Sequence, residues 1–475
     1  MYKSIDLFAG CGGLTLGLHR AGFQNCLAIE KSPMASETYY HNFIERLEDG
    51  DWEKFLSKNK TPADQAEQGI FVGDIAHVLD DKSLLNRLRL QDIDLVAGGP
   101  PCQGFSLAGR RNPEDIRNQL PWQFLDFVRA TDPKAVIIEN VSGMTQAFKK
   151  HGKPSPFMEL RNALVETGNG YVVQAVHLNA MHFGVPQHRP RVMLVGIRKD
   201  IASIADVKTE DGIWKSEYDH APSLLFAKRP DLAPKATHFG EDILSVADAI
   251  SDLNDKGYRR LSNLSEYAYN MRTEKVPVED TTHRKKIYNH KLRKHSDHIV
   301  MRFRLYQYFK SQGISGKTMG IPKDDNLTEL GKRNSIKEAL GNLKFPILGP
   351  DKTIIAQDLN GLLNLIMSLG TKKHSQRPLM WTSPSPTIVS LPDDYVHPDR
   401  PRTMTVREMA RFQSFPDSFE FRSKETTGSH RRRFEVPQYT QVGNAVPPKL
   451  GQAVGSVVFD VIKQANILQS KKTDI

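Results

Sequence analysis

Cys102 stands in Gly98-Gly99-Pro100-Pro101-Cys102-Gln103-Gly104-Phe105-Ser106, and a thiol carried by so stiff a loop is a candidate nucleophile. A free cysteine is most often a small buried hydrophobe, and its reactive form is the thiolate. Packing alone would not require four consecutive Gly and Pro residues immediately before it. Two further groups of residues could act with it. Glu139-Asn140-Val141 offers a carboxyl group, and Gln187-His188-Arg189-Pro190-Arg191 offers two guanidinium groups. Taken singly, Glu139 could be a helix cap and the arginines surface charge. Together with a positioned thiol they form a constellation for nucleophilic and acid–base catalysis.

A second set of residues suits a cofactor. Asp6-Leu7-Phe8-Ala9-Gly10-Cys11-Gly12-Gly13-Leu14 reads as a strand running into a Gly-rich turn and a helix start, where a ligand can approach the backbone closely. Glu30 follows Gly10 by twenty residues, at the spacing of an acid that hydrogen-bonds ribose hydroxyls. Asp74, in Val72-Gly73-Asp74-Ile75, places another carboxylate at the end of a strand, where it could read the exocyclic amine of adenine; a Gly-Asp pair alone is more often a turn. The third Gly of the dinucleotide fingerprint is absent, because Thr15 occupies its place. These residues point to an adenosine-type cofactor.

The elements that must position them follow from a repeating pattern. Apolar, β-branched runs at 4–8, 26–29, 70–72, 95–97, 135–138, 171–178 and 192–197 alternate with turns and helix-like stretches. That alternation predicts an α/β fold with a mostly parallel sheet, whose ligands gather beyond the carboxyl ends of the strands. From about 200 to 385 the pattern loosens into long polar connections, as expected of a separate, less regular domain. Within it, residues 281–304 carry eight Lys or Arg against one acid, Asp297, which is either a solvated face or a phosphate-binding surface. A closing helix is expected over 448–464. The length of 475 residues exceeds a usual single core and predicts two domains, or one with an insert.

In this order the motifs resemble the DNA cytosine-5 methyltransferase family: residues 6–13, Glu30, Gly73-Asp74, 100–106, Glu139-Asn140-Val141, 187–191, then 407–417 and Gly443-Asn444-Ala445-Val446-Pro447-Pro448. The likeness covers roughly 1–200 and 380–460, and no catalytic position departs from it. Residues 431–439, ahead of the last motif, are longer and more basic than the family pattern. The resemblance implies a Rossmann-like S-adenosylmethionine-dependent sheet with a smaller inserted target-recognition domain. It divides the chain into a catalytic domain over 1–200, a DNA-binding region over 201–385, and a part over 386–475 that returns to the catalytic domain.

By the same resemblance Cys102 attacks cytosine C6, Glu139 contacts N3 and the exocyclic amine, Arg191 contacts O2, Arg189 supports its loop and Asn140 holds the prolyl-cysteinyl turn. The cofactor, S-adenosyl-L-methionine, falls to Phe8, Gly10, Gly12, Gly13, Leu14, Glu30, Asp74, Ile75, Pro101, Asn444 and Val446. The implied partner is double-stranded DNA, whose target base must be flipped out of the stack. Bacterial restriction–modification, with a companion endonuclease, a monomeric enzyme and a cytoplasmic location, is the expected setting.

Composition agrees. Lys and Arg number 65 against 55 Asp and Glu, a net charge of +10, which favours a polyanionic partner. No run approaches a membrane span and the start lacks a signal-peptide core. The three cysteines, Cys11, Cys26 and Cys102, have neither a disulfide framework nor zinc-ligand spacing, so no metal is expected. Three rival readings differ in kind. A nicotinamide-dependent oxidoreductase shares the Gly turn and acid but leaves Cys102, Glu139 and Arg191 without a role. A catalytically idle DNA-binding relative would not need Cys102 and Glu139. A transfer RNA cytosine methyltransferase shares the Pro-Cys loop, and the long basic insert favours DNA over it.

Overall fold

The computed structural model describes residues 1–473 apart from 102–118, 147–154, 227, 260–262, 279–286, 374, 429 and 432–433. Its centre is a sheet of β1 (Tyr2–Leu7), β2 (Phe23–Glu30), β3 (Ile70–Val72), β4 (Leu95–Gly98), β5 (Ala135–Val141), β6 (Tyr171–Asn179), β7 (Pro190–Arg198) and β8 (Ile213–Lys215). The spatial order is β3-β2-β1-β4-β5-β7-β6-β8. Neighbours from β3 through β5 are parallel, whereas β7 runs antiparallel to both β5 and β6. All seven strands expected from the sequence are present, most of them one to three residues longer at an end. β8 was not expected: three residues give too short a run to show a period.

Strand order reverses between β1 and β4, so the loops leaving those two strands part from each other at one edge of the sheet. That is where an open α/β sheet has a crevice. The Gly-rich turn follows β1 and Gly99-Pro100-Pro101 follows β4, so these two segments flank it. Because β7 is reversed, its first residues, Pro190 and Arg191, arrive at the same edge, and Arg191 pairs in register with Val141 at the end of β5.

Buried side chains cover both faces. One core holds Leu27, Ile29, Phe71, Val96, Phe124, Phe127, Val136 and Leu160; the other holds Leu95, Ile137, Met193, Val195, Trp214, Leu450, Val454 and Val458. The second includes the final helix, Pro448–Thr473, which is longer than the 448–464 expected and packs against the first helix, Gly13–Ala21. Their approach requires glycine: a Cβ on Gly17 would lie 2.4 Å from the Pro448 carbonyl oxygen and 2.6 Å from the Gln452 nitrogen.

The region after residue 200 divides by packing. Trp214, Phe226, Leu232 and Ala236 join the sheet's second core, and Val246, Ile250, Tyr267 and Met271 share a core with Leu16, Met409 and Phe415. In contrast, Phe303, Tyr306, Phe309, Ile336, Leu340, Leu362 and Ile366 form a core of their own. It is built from the helices Asp297–Ser311, Glu329–Leu340 and Leu359–Leu369. Among the described residues no helix is long and apolar enough to cross a membrane.

Candidate active site

Each chemical residue at the crevice is held by a neighbour that the sequence supplies. Phe8 leaves β1 with φ +59°, turning the chain so that the Gly10 N–H donates to Glu30 Oε2 at 2.9 Å. The Ser32 N–H donates to Glu30 Oε1 at 2.7 Å. Burial raises the Glu30 pKa, and these two backbone donors work against that rise. A carboxylate has about four lone-pair sites, so two remain for hydroxyl donors. A Cβ on Gly10 would find no atom within 4 Å, which leaves an open cradle in front of the turn. Gly13 is filled instead, since a Cβ there would meet the Val446 carbonyl oxygen at 2.3 Å. Leu14 and Ile75 are buried beside the turn and the third strand, Phe8 is half-buried, and Asn444 and Pro101 are exposed. Open backbone, a Glu with spare acceptor capacity and exposed Asn444 at one corner fit an adenosine-bearing sulfonium.

Asp74 has local partners as well. It caps the helix Ile75–Asp80, accepting the Ala76 N–H at 3.1 Å, and pairs with Lys31 at 3.0 Å. Burial opposes its charge, yet the Ala76 donor and the Lys31 ammonium hold its pKa below the ordinary value. The turn role open to a Gly-Asp pair is therefore filled, and the carboxylate remains charged at the same edge.

The residues expected to be catalytic gather, where described, at the ends of β4, β5 and β7. A Cβ built on Gly99 would be 2.8 Å from Glu139 Oε2, so the carboxylate lies over the backbone that leads into Cys102. Asn140 Nδ2 donates to the Pro100 carbonyl at 3.1 Å, tying the same turn to β5. Arg191 Nε meets Glu139 Oε1 at 2.9 Å, both side chains being little exposed. Burial lowers the Arg191 pKa, and the Glu139 carboxylate counters it. Cys102 itself lies outside the described residues, as do Gln103, Gly104, Phe105 and Ser106.

Arg189 does not join this pair. It is 1% exposed and donates to the carbonyls of Ile388 at 3.2 Å, Gly443 at 2.9 Å and Ala445 at 2.9 Å. Gln187, fully buried, donates to the Phe412 carbonyl at 2.9 Å and to Gln413 Oε1 at 2.8 Å, and accepts from the Ile388 N–H at 2.8 Å. The alternating side chains of this stretch thus do different work: Gln187 and Arg189 bind distant segments into the site, while Arg191 faces Glu139.

One arrangement escaped the sequence reading. Thr15, standing where a third Gly was sought, donates its hydroxyl to the buried Asp6 Oδ2 at 2.5 Å. Burial raises the Asp6 pKa to about 7, the Thr15 hydrogen bond lowers it in part, and the charge of Glu30 raises it further. An acid between Ile5 and Leu7, next to the end of a strand, was the available signal. Its partner nine residues on becomes visible only when the helix folds back over β1.

Comparison with known proteins agrees with this geometry. The C-5 cytosine-specific DNA methylase family model matches residues 2–460. The chain is 29% identical to the Type II methyltransferase M.DdeI of Desulfomicrobium norvegicum, covering 99% of this chain and 92% of that one. It is 31% identical to the Type II methyltransferase M.AgeI of Thalassovita gelatinovora, covering 96% and 99%. Among solved structures, a chain encoded within an Escherichia coli prophage and described as a DNA modification methyltransferase superposes with a TM-score of 0.54 at 21% identity, over 98% of this chain and all of that one, a likeness of fold. The family match removes the nicotinamide-dependent oxidoreductase reading. With these matches over nearly its whole length, the chain belongs to the C-5 cytosine-specific DNA methylases, which take their methyl group from S-adenosyl-L-methionine.

Proposed function

We propose that the protein methylates C5 of a cytosine flipped out of a specific sequence in double-stranded DNA, through a covalent bond to Cys102. The observation that carries this reading is the Glu139–Arg191 pair over Gly99, with Asn140 tying Pro100, because it sets an acid and a cation beside the loop that carries the thiol. Cytosine C5 is a poor nucleophile. The Cys102 thiolate adds to C6 and makes C5 enamine-like, dividing one difficult step into easier ones. Glu139 takes up a proton from solvent when the base enters; its O–H then donates to N3 while its other oxygen accepts from the exocyclic amine, and the proton passes to N3 as electron density moves into the ring. Arg191, on the other side of Glu139, keeps the carboxyl oriented and contacts O2. When bound against Gly10, Glu30 and Asn444, S-adenosyl-L-methionine supplies the electrophilic methyl group that C5 takes up. Loss of the C5 proton to a base and expulsion of Cys102 then restore the aromatic ring. Asp74 is assigned the adenine amine, and Phe8, Gly12, Gly13, Leu14, Ile75, Pro101 and Val446 the remainder of the cofactor's surroundings.

Sequence reading is assigned to the part of 201–385 that has its own core, about 297–371. Residues 1–200 and 386–475 are assigned to the catalytic unit, whose cores also take in buried residues from 214 to 271. The Type II names of the relatives support a role beside a companion restriction endonuclease in bacteria. The test is incorporation of labelled methyl from S-adenosyl-L-methionine into unmethylated plasmid DNA, with bisulfite sequencing to locate the product. Label at one cytosine of a recurrent sequence, absent for Cys102→Ser, is the expected result. Label on transfer RNA and none on DNA would move the activity to the RNA enzyme.

A further inference from the structure

Residues 424–436 are not used by the site described above, yet they sit beside it. The helix Gln438–Asn444 has seven residues, about 10 Å of axis, and its far end is exposed Asn444. Along its length it is bound to the crevice edge. Gln441 Nε2 donates to the Met34 carbonyl at 3.2 Å, just beyond Glu30, and Thr440 Oγ1 donates to the Ser390 carbonyl at 3.3 Å. At its near end Gln438 anchors the loop, donating its N–H to the Lys424 carbonyl at 3.0 Å and its Nε2 to the Ser423 carbonyl at 2.9 Å. The loop therefore rises from the end of this helix opposite Asn444.

Its surface is suited to a polyanion. Glu435 is paired with Lys424 at 2.5 Å and takes the Thr427 hydroxyl, so one of the loop's two acids is answered internally. His430 and Arg431 are exposed, and Arg432 and Arg433 follow in the sequence outside the described residues. Phe434, next in line, is 85% exposed. A single exposed phenyl is ordinary on a protein surface, but in a loop with exposed His430 and Arg431 it can pack on sugar while the cations meet phosphates. A second basic segment is fixed to the same base. Asn289 Nδ2 donates to the Phe421 carbonyl at 2.8 Å and Asn289 Oδ1 accepts the Phe421 N–H at 2.9 Å. That pins the stretch carrying exposed Lys291 and Lys294 beside the strand of chain that opens the loop.

We infer that His430, Arg431 and Phe434, with Lys291 and Lys294, form a second DNA-contacting surface that holds the phosphates of the duplex flanking the target, independently of the residues that read sequence. This rests on the proposed DNA methyltransferase activity. Its expected signature is a contribution to affinity that depends on duplex length and on salt, since each phosphate contact adds about 0.9 to the slope of log K against log salt.

The test uses the full chain, wild type against Arg431→Glu with Phe434→Ala, and against Phe434→Ala alone. The substrates are two duplexes carrying the methylated sequence, one ending just beyond it and one extended by a helical turn or two on each side. For the double variant the KM on the long duplex rises about tenfold and the salt slope falls by about 1 to 2, while both enzymes behave alike on the short duplex. Phe434→Ala alone raises KM less and leaves the salt slope in place. Equal KM and equal slope on both duplexes would overturn the inference and leave a solvated loop. Wild type that methylates no DNA would instead overturn the activity itself, and this surface with it.

Discussion

Glu139 and Arg191 are set to act as a unit, because neither side chain has another ionic partner among the described residues and they meet at 2.9 Å. Replacing Glu139 by Gln keeps the shape but removes the carboxyl group that meets Arg191 and that is proposed to carry a proton to N3. The expected result is a fall in kcat of about 10²–10⁴, the range of a lost acid–base group, with DNA affinity changed only a few-fold. Single-turnover methyl transfer alongside gel-shift binding checks this, and an equal loss of binding would assign Glu139 to substrate capture. Much of this was readable in the sequence. Glu139 and Arg191 each lie in a short motif next to a predicted strand, and a strand end is where chemistry is expected in an α/β sheet. The work of Gln187 and Arg189 was not readable, because their partners lie roughly 200 to 256 positions away and exist only after the chain has returned. Arg189 was expected among the catalytic residues as a support for its loop. The structure shows the segments it supports: the carbonyls of 388, 443 and 445.

Elements meet at the site through buried charge, and here substitution should register first in stability. Arg189→Met leaves three carbonyls without their donor. It is expected to cost about 3 kcal/mol in urea unfolding, with Arg189→Lys recovering little because one ammonium cannot match the fork. Glu408 gives a pH-dependent counterpart. It completes the capping box of the helix Val406–Phe412 and receives Arg402 at 2.8 and 2.9 Å. Burial alone would raise its pKa, but the Arg402 guanidinium and its hydrogen bonds bring it down to about 2. A carboxyl whose folded pKa lies below its unfolded value stabilises the fold fully above the unfolded value of about 4.3, and loses that contribution as pH falls toward the folded one. Unfolding of wild type and Glu408→Gln should therefore differ by roughly 3 kcal/mol at pH 7, with the gap narrowing between about pH 4.5 and pH 2. A gap independent of pH would show that the hydrogen bonds act without the charge. At this scale the expected strands were found because their apolar runs are long enough to show a pattern, while β8 is only three residues long and the helices beyond residue 297 are separated by long polar connections.

Over the whole molecule the chain closes on itself: the last helix lies against the first, and Val446 reaches the cofactor corner through Gly13. Gly17→Ala forces a methyl into the Pro448 carbonyl, so it should lower stability by about 1–3 kcal/mol and weaken S-adenosyl-L-methionine binding more than DNA binding. Isothermal titration with the cofactor checks the second part; unchanged affinity would mean that Val446 keeps its place when the helix shifts. That closure was foreseeable only from the resemblance, since no local signal in 448–473 names its partner. The proposed activity rests at every scale on Cys102 as the nucleophile. The experiment to perform is incubation with S-adenosyl-L-methionine and duplex DNA in which the target cytosines carry fluorine at C5, followed by denaturing electrophoresis. Fluorine cannot leave as a cation, so the adduct persists once the methyl group has been transferred. A covalent protein–DNA band that requires both the cofactor and Cys102, and vanishes in Cys102→Ser, is the predicted result; a band that survives Cys102→Ser, or none with DNA that the enzyme demonstrably methylates, would contradict it.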